Sequence, residues 1–433
     1  MRTSFILLTI LSFGLFIIIS FSSGTTYTPK FIFDDLNVSL PEDEQAELKL
    51  LTNYISIAGG ILHRVDLLNS KRQNIVISKL ATISSYSLII RTLDKKKLED
   101  RLFQSILNRV DSLEIYGVRR FRTSKSFSKD NEIKFDNLWA FSKNFELKPN
   151  VDNSLRKNYF FKARTFDFGK FENLDSYFKP YVRENFHSPI PTSEFNNLTT
   201  SAFFCNNYIN SNWNFDNLPY RQKFKAWKGE RLKKDNQDNQ DNQDNQDNQD
   251  NQDNRELIRY LFFSSTNIWK YFNSDTNETI YGLEYALKDV VLIIKKRNQN
   301  SKEFDRIQIN QFLLYKKKIL TKIALPEINI ESGFDFTESS KKTNWQMDLS
   351  PGTDNFDANK FVVKSEDKKI EDFGINKIFQ RNKFSINFRS KFNLDEASEE
   401  EMQEFDVFDS PFDFAVIMID SGMEIFSGTV YRL

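Results

Sequence analysis

Apolar residues recur along this chain in two periods. Between 41 and 68, Leu51, Ile55, Ala58, Leu62 and Val65 fall on one helical face and Pro41 suits a first turn, so the spacing predicts a helix there. A short apolar run at 74–78 reads as a buried strand leading into a second helix over 80–91, and 95–110 reads as a third. Strands are expected at 135–141, 160–168, 201–209, 290–294 and 322–330, with a helix at 172–184. Near the end, two apolar runs at 411–419 and 425–430 flank Asp420-Ser421-Gly422, which predicts a buried hairpin. Helices and strands are interspersed without regular βαβ spacing, so the expected class is α+β with mixed or antiparallel sheets.

The segment 389–410 stands apart from this pattern. Its twenty-two residues carry eight acids and two bases and sit between two hydrophobic strands. A long charged segment feeding a buried hairpin is either a functional loop or a connector without fixed structure. A second polar stretch, 235–254, repeats Asp-Asn-Gln six times and ends in Asp-Asn. It has no apolar residue to bury and reads as a solvated insertion. It lacks the glycine and terminal glutamate of a calcium loop, so no metal site is assigned to it and low-affinity attraction of cations by its Asp residues is the most it implies.

Composition narrows the function. The chain has 433 residues, with 60 acidic and 60 basic side chains, so no overall charge favours nucleic acid. Phe is abundant at 43 while Gly and Pro are few, which suits a packed fold rather than a linker or repeat protein. The start carries Arg2, an apolar run over 5–21 and then Ser22-Ser23-Gly24. That order fits a signal peptide over 1–24 and a secreted, extracellular product, and its length also admits an uncleaved membrane anchor. Sequons at Asn37, Asn197 and Asn277 fit glycosylation on that route, although an Asn-rich chain also generates them by chance. Cys205 is the single cysteine, so no internal disulfide forms, and its apolar surroundings predict a buried inert thiol.

Candidate chemistry is sparse. The two histidines, His63 and His187, have no local nucleophile, and there is no Gly-rich phosphate loop, paired CxxC or HExxH motif. No catalytic residue, cofactor or metal ligand is assigned, and an enzyme is not expected. Basic clusters at Lys95-Lys96-Lys97, Lys295-Lys296-Arg297 and Lys316-Lys317-Lys318 read first as solvated faces, with weak glycosaminoglycan contact as the functional alternative.

Six collinear segments resemble the serpin family. Asn74-Ile75-Val76-Ile77-Ser78-Lys79-Leu80 resembles the family's N-(V/I)-x-(I/F)-S-P-L. Asn137-Leu138-Trp139 through Phe145-Glu146-Leu147-Lys148-Pro149 looks like its strand and turn before the next helix. Cys205-Asn206-Asn207-Tyr208-Ile209-Asn210-Ser211-Asn212-Trp213 is similar to N-A-I-Y-F-K-G-x-W. Leu283-Glu284-Tyr285 with the 290–294 strand resembles L-x-L-P-Y and the strand after it, and Leu325-Pro326-Glu327-Ile328-Asn329-Ile330-Glu331-Ser332 resembles L-P-K-F-K-I-E-S. Pro411-Phe412 through Gly428-Thr429-Val430 looks like the closing P-F-x-F…F-x-G-x-V. The resemblance implies one domain over about 30–433, with three β-sheets, eight or nine helices and an exposed reactive loop before the C-terminal hairpin. It also implies a monomer whose partner is an extracellular protease, usually of the serine type, trapped when the cleaved loop inserts as a strand into the central sheet.

By that resemblance the loop is 389–410, with its hinge at Arg389, Ser390, Lys391, Asp395 and Glu396. The family's hinge glycine is absent and the loop is several residues short. Asp395, Glu399 and Glu401 alternate with Glu396 and Glu400, so an inserted strand would bury carboxylates on both faces, at several kcal/mol for each that lacks a partner. Lys79 stands where the family has proline, and Ala81 where it has serine. Cys205 stands where it has an asparagine beneath the moving strands; with Ser78 and Trp213 it marks the region where that sheet opens. Two functions follow: a secreted, non-inhibitory serpin-fold protein (binder, carrier, decoy or protease substrate), or an active inhibitor of a chymotrypsin-like or cysteine protease. For the second, Met402 or Phe405 is the candidate scissile residue, because no Arg or Lys lies at mid-loop.

Overall fold

The computed structural model describes residues 73–82, 85, 88, 133–159, 161–170, 195–210, 213, 220–224, 258–286, 289–297, 304, 306–335, 337, 361–363, 373–387, 400, 403–419 and 422–433. All belong to one compact unit, Ala46–Leu433. The helices expected over 41–68, 95–110 and 172–184, the 235–254 tract and both histidines lie outside them.

Three main sheets carry the described residues. The first has five strands in the order β13 (Ile328–Asp335), β15 (Lys377–Ile386), β5 (Ser201–Ile209), β2 (Ile133–Ser142) and β4 (Phe161–Phe166). β15 and β5 are parallel and directly paired, from Lys377 opposite Ala202 to Phe384 opposite Ile209. β13 runs antiparallel to β15, and β2 antiparallel to β5. The second sheet has seven strands, all antiparallel to their neighbours. Their order is β1 (Ile75–Ser78), β18 (Glu424–Val430), β17 (Phe412–Met418), β10 (Val290–Lys296), β9 (Glu278–Glu284), β8 (Trp269–Asn273) and β11 (Lys317–Lys318). The third orders β16 (Asp406–Val407), β12 (Thr321–Pro326), β7 (Ile258–Ser265) and β6 (Tyr220–Phe224), with β16 parallel to β12. A small ribbon pairs β3 (Glu146–Leu147) with β14 (Val362–Val363). Helices α1 (Val151–Tyr159) and α2 (Arg306–Tyr315) complete the elements that the described residues define in full.

Phe384 and Phe414 stack with ring centroids 3.9 Å apart, joining the five-stranded and seven-stranded sheets through one apolar core. The expected hairpin is β17 and β18, buried along its whole length. Its turn needs Gly422, whose φ is 63°, in the left-handed region that a side chain disfavours. Gly428 answers a different need. β18 lies between β1 and β17, and a Cβ there would meet the Ile75 carbonyl at 2.0 Å and the Phe414 ring at 2.6 Å.

Several expectations change. The single strand expected at 322–330 is two strands in different sheets, β12 and β13. The chain crosses between them at Glu327, whose N–H donates to the Arg259 carbonyl at 2.8 Å. Both halves are largely buried, so hydropathy alone runs them together. The strand expected at 160–168 stops at Phe166 and gives way to a 3₁₀ turn, Phe168–Lys170, while that at 135–141 widens to Ile133–Ser142. The strand at 290–294 continues to Lys296 because Lys295, though charged, is buried with partners: Glu278 at 3.4 Å and Gln308 at 3.2 Å. β15 carries Gln380, Arg381, Asn382, Lys383 and Ser385, too polar to announce a buried strand.

Candidate functional site

The five-stranded sheet has two parallel seams, β15 with β5 and β2 with β4, where a returning segment could pair antiparallel with both neighbours, and the first of them lies directly before the 389–410 segment in the chain. All nine residues of β5 are buried, and so are eight of ten in β15. Each strand therefore has both of its faces covered.

Side-chain hydrogen bonds cross the seam. Asn207 Nδ2 donates to Asn382 Oδ1 at 3.1 Å, and Arg381 Nε donates to Asn206 Oδ1 at 2.7 Å. The same strand clasps the edge of the seven-stranded sheet. Asn382 Nδ2 donates to the Val76 carbonyl at 3.0 Å, and Gln380 Nε2 to the Ser78 carbonyl at 3.2 Å. From β13, Ser332 Oγ accepts from Val76 N–H at 3.0 Å and donates back to the Val76 carbonyl. The free edge of β1 is thus satisfied by side chains of the other sheet, which explains why polar residues occupy buried positions there.

Ser78 ends β1 and starts the helix that follows. Its hydroxyl accepts from Ala81 N–H at 3.3 Å, and Thr82 Oγ1 donates to its carbonyl at 2.9 Å. Cys205 lies in register between Gln380 on one side and Asn137 on the other. Its thiol touches Ser85 Oγ at 3.2 Å, and burial pushes its pKa up to about 12, so the sulfur stays protonated and inert as expected. Beside it the Asn137 side-chain amide, though buried, has no hydrogen-bond partner among the described residues. Trp213 bridges to Tyr285 by backbone pairing, stacks on its ring at 5.0 Å and meets Phe263 edge-on at 5.5 Å.

Lys79 is buried rather than solvated and pairs with the equally buried Glu424 of β18. The cluster Lys295-Lys296-Arg297 is likewise not a solvated face. Lys295 is enclosed, Lys296 binds Asp406, and Arg297 NH1 donates to the buried Asp413 at 2.8 Å. Burial pushes the Asp413 carboxyl above its usual range, opposed by Arg297, Lys295 and the Thr429 hydroxyl.

The distal boundary of the 389–410 segment needs correction. Asp406–Val407 is strand β16, and Phe408 is fully buried, with its N–H donating to the Ala324 carbonyl at 2.9 Å. The connection between β15 and β16 therefore ends at Phe405. Asp406 accepts from both Tyr281 OH and Lys296 Nζ, and Lys322 pairs with Glu404. Phe405 sits edge-on to Phe262 at 5.1 Å under the Lys322 ammonium. Sequence reading missed this anchoring, because Tyr281, Lys296 and Lys322 lie far from the loop in the chain. Arg389, Ser390, Lys391, Asp395, Glu396, Met402 and Asn37 lie outside the described residues. Asn197 and Asn277 are exposed in turns.

Seam, clasp and anchored distal stem, set in these three sheets, define a serpin fold. Compared with solved structures, the chain is similar to native protease nexin-1 with heparin at 13% identity and a TM-score of 0.64, covering 89% of this chain and 100% of that one. It is similar to Serpin48 of the insect Tenebrio molitor at 16% identity and 0.61, covering 91% and 100%. Manduca sexta serine protease inhibitor (serpin)-12 matches at 12% identity and 0.61, covering 86% and 97%. By sequence, the chain matches no family model and no curated protein.

Proposed function

We propose that this chain is a secreted serpin-fold protein that meets a protease, most readily of the serine type, through the connection between β15 and β16 and does not trap it. It then acts as a binder, carrier, decoy or protease substrate, not as an enzyme. The observation that carries this reading is the burial of β5 and β15 on both faces. A strand inserted between them would be covered on both sides as well. The segment available for insertion brings Asp395 and Glu396, followed by Glu399, Glu400 and Glu401, so carboxylates would enter the interior whichever face they took. Each would cost several kcal/mol unless paired or protonated. The side-chain bonds of Asn207 and Arg381 across the seam would also have to break.

The similar solved structures, which include a serine protease inhibitor, support a protease as the partner. Phe405 packs against the protein body, so a protease would cut before it, with Met402 the better candidate. Exposed turns at Asn197 and Asn277 suit glycosylation of a secreted chain. The glycosaminoglycan reading loses one of its three basic clusters, since Lys295, Lys296 and Arg297 are engaged internally.

The test is a denaturing gel after incubation with a trypsin-like, a chymotrypsin-like and a papain-like protease. The expected result is cleavage between β15 and β16 with no SDS-resistant adduct. A covalent adduct with any of them would establish the inhibitor reading instead.

A further inference from the structure

Five of the seven exposed large apolar side chains among the described residues lie on β8, on α2 or just after β11. Leu320 is 66% exposed, Phe272 55%, Tyr315 47% and Ile319 43%. Three lysines interrupt them, in the order Tyr315-Lys316-Lys317-Lys318-Ile319-Leu320. The surrounding sequence, residues 306–326, contains five bases and no acid, in a chain whose charges balance overall.

The geometry concentrates that charge. β11 is the edge strand of the seven-stranded sheet, and it sets Lys317 directly opposite Lys270. Like charges in that relation are destabilising. Lysine on an edge strand is a common guard against edge-to-edge association. A guard does not need exposed isoleucine and leucine beside it, and these would themselves favour association. The ammonium groups of Lys316 and Lys318 both lie over Trp269, at 5.0 and 4.6 Å from its ring centroid. Tyr271 stacks on Tyr315 at 6.0 Å. Lys318 is balanced by Glu284 at 2.8 Å, whereas Lys270 and Lys317 have no carboxylate within ion-pair distance among the described residues.

We propose that this sheet edge, with Lys270, Phe272 and Lys317 on one of its faces and Trp269, Tyr271 and Lys318 on the other, docks on the surface of an anionic phospholipid bilayer. Lys270 and Lys317 would meet the headgroups, Ile319 and Leu320 would enter the acyl boundary, and Tyr315 with its aromatic neighbours would lie at the interface where such rings concentrate. A sulfated polysaccharide would engage the lysines but leave Ile319, Leu320 and Phe272 in water, so the apolar exposure selects the lipid.

The full chain is tested by co-sedimentation with vesicles of phosphatidylcholine alone and of phosphatidylcholine with phosphatidylserine. Every variant shares residues 1–45, so any contribution of the N-terminal apolar run is common to all. Binding is expected only to the anionic vesicles and should weaken as salt rises. Lys317→Ala should lower it about fivefold, and Leu320→Ser about tenfold. Both positions are exposed, so the melting temperature should not move, which separates lost docking from lost folding. Equal binding to both vesicles would overturn the proposal. So would retention on heparin without vesicle binding, or Leu320→Ser binding as tightly as the parent.

Discussion

Lys79 shows how far one substitution can be misread from the chain alone. Beside Ser78, where the resemblance expects proline, it looks like a lost opening residue. In the fold it is one half of a buried ion pair with Glu424, which lies 345 positions away, so nothing local could disclose the partner. Removing one side of such a pair leaves a buried charge uncompensated. Lys79→Met should therefore cost about 3–5 kcal/mol in urea unfolding, while Lys79→Met with Glu424→Leu should return close to the parent. Cys205 was legible as a buried inert thiol, and it should resist alkylation at neutral pH until the protein unfolds. Its neighbours were not legible. Gln380 and Asn137 flank it in register, and neither the Asn137 amide nor Gln380 Oε1 has a hydrogen-bond partner among the described residues. Cys205→Asn should supply one and raise stability by about 1 kcal/mol, whereas Cys205→Ala should not.

Among the elements, those whose burial comes from apolar residues were readable. The strand at 201–209 and the final hairpin appear as their patterns require. β15 was not readable as a buried strand, because Gln380 and Asn382 bond to β1 carbonyls and hydropathy does not register hydrogen bonds. The break inside 322–330 was hidden for the opposite reason, both halves being apolar. Gly428→Ala should cost about 1–3 kcal/mol, since the Ile75 carbonyl cannot give way to a Cβ without shifting β1. The distal stem should respond to pH. Lys322 holds the Glu404 carboxyl below its ordinary range, so its contribution is complete above the unfolded pKa and fades as pH falls through the folded one. The protection factor of the Phe405 amide, which divides out the intrinsic pH dependence of exchange, should fall as the Glu404 carboxylate is protonated in acid, and should show no such fall in Lys322→Ala. A protection factor that ignores pH in the parent would show that this contact does not anchor the stem.

At the scale of the molecule, the account rests on whether the connection between β15 and β16 can become a strand. The sheet has a seam of suitable direction, between two parallel strands, and insertion there is what the serpin resemblance implies. Opposing it are the burial of both flanking strands, the side-chain bonds across the seam and the density of carboxylates between Asp395 and Glu401. The composition of that segment was plain in the sequence. The strength of what it must displace became clear only with the register of Asn207 against Asn382. The most direct measurement is the melting temperature of the intact chain and of the chain nicked between β15 and β16. The account predicts nearly the same value for both. A rise of tens of degrees after nicking would mean that the acidic segment has entered the sheet, and would contradict it.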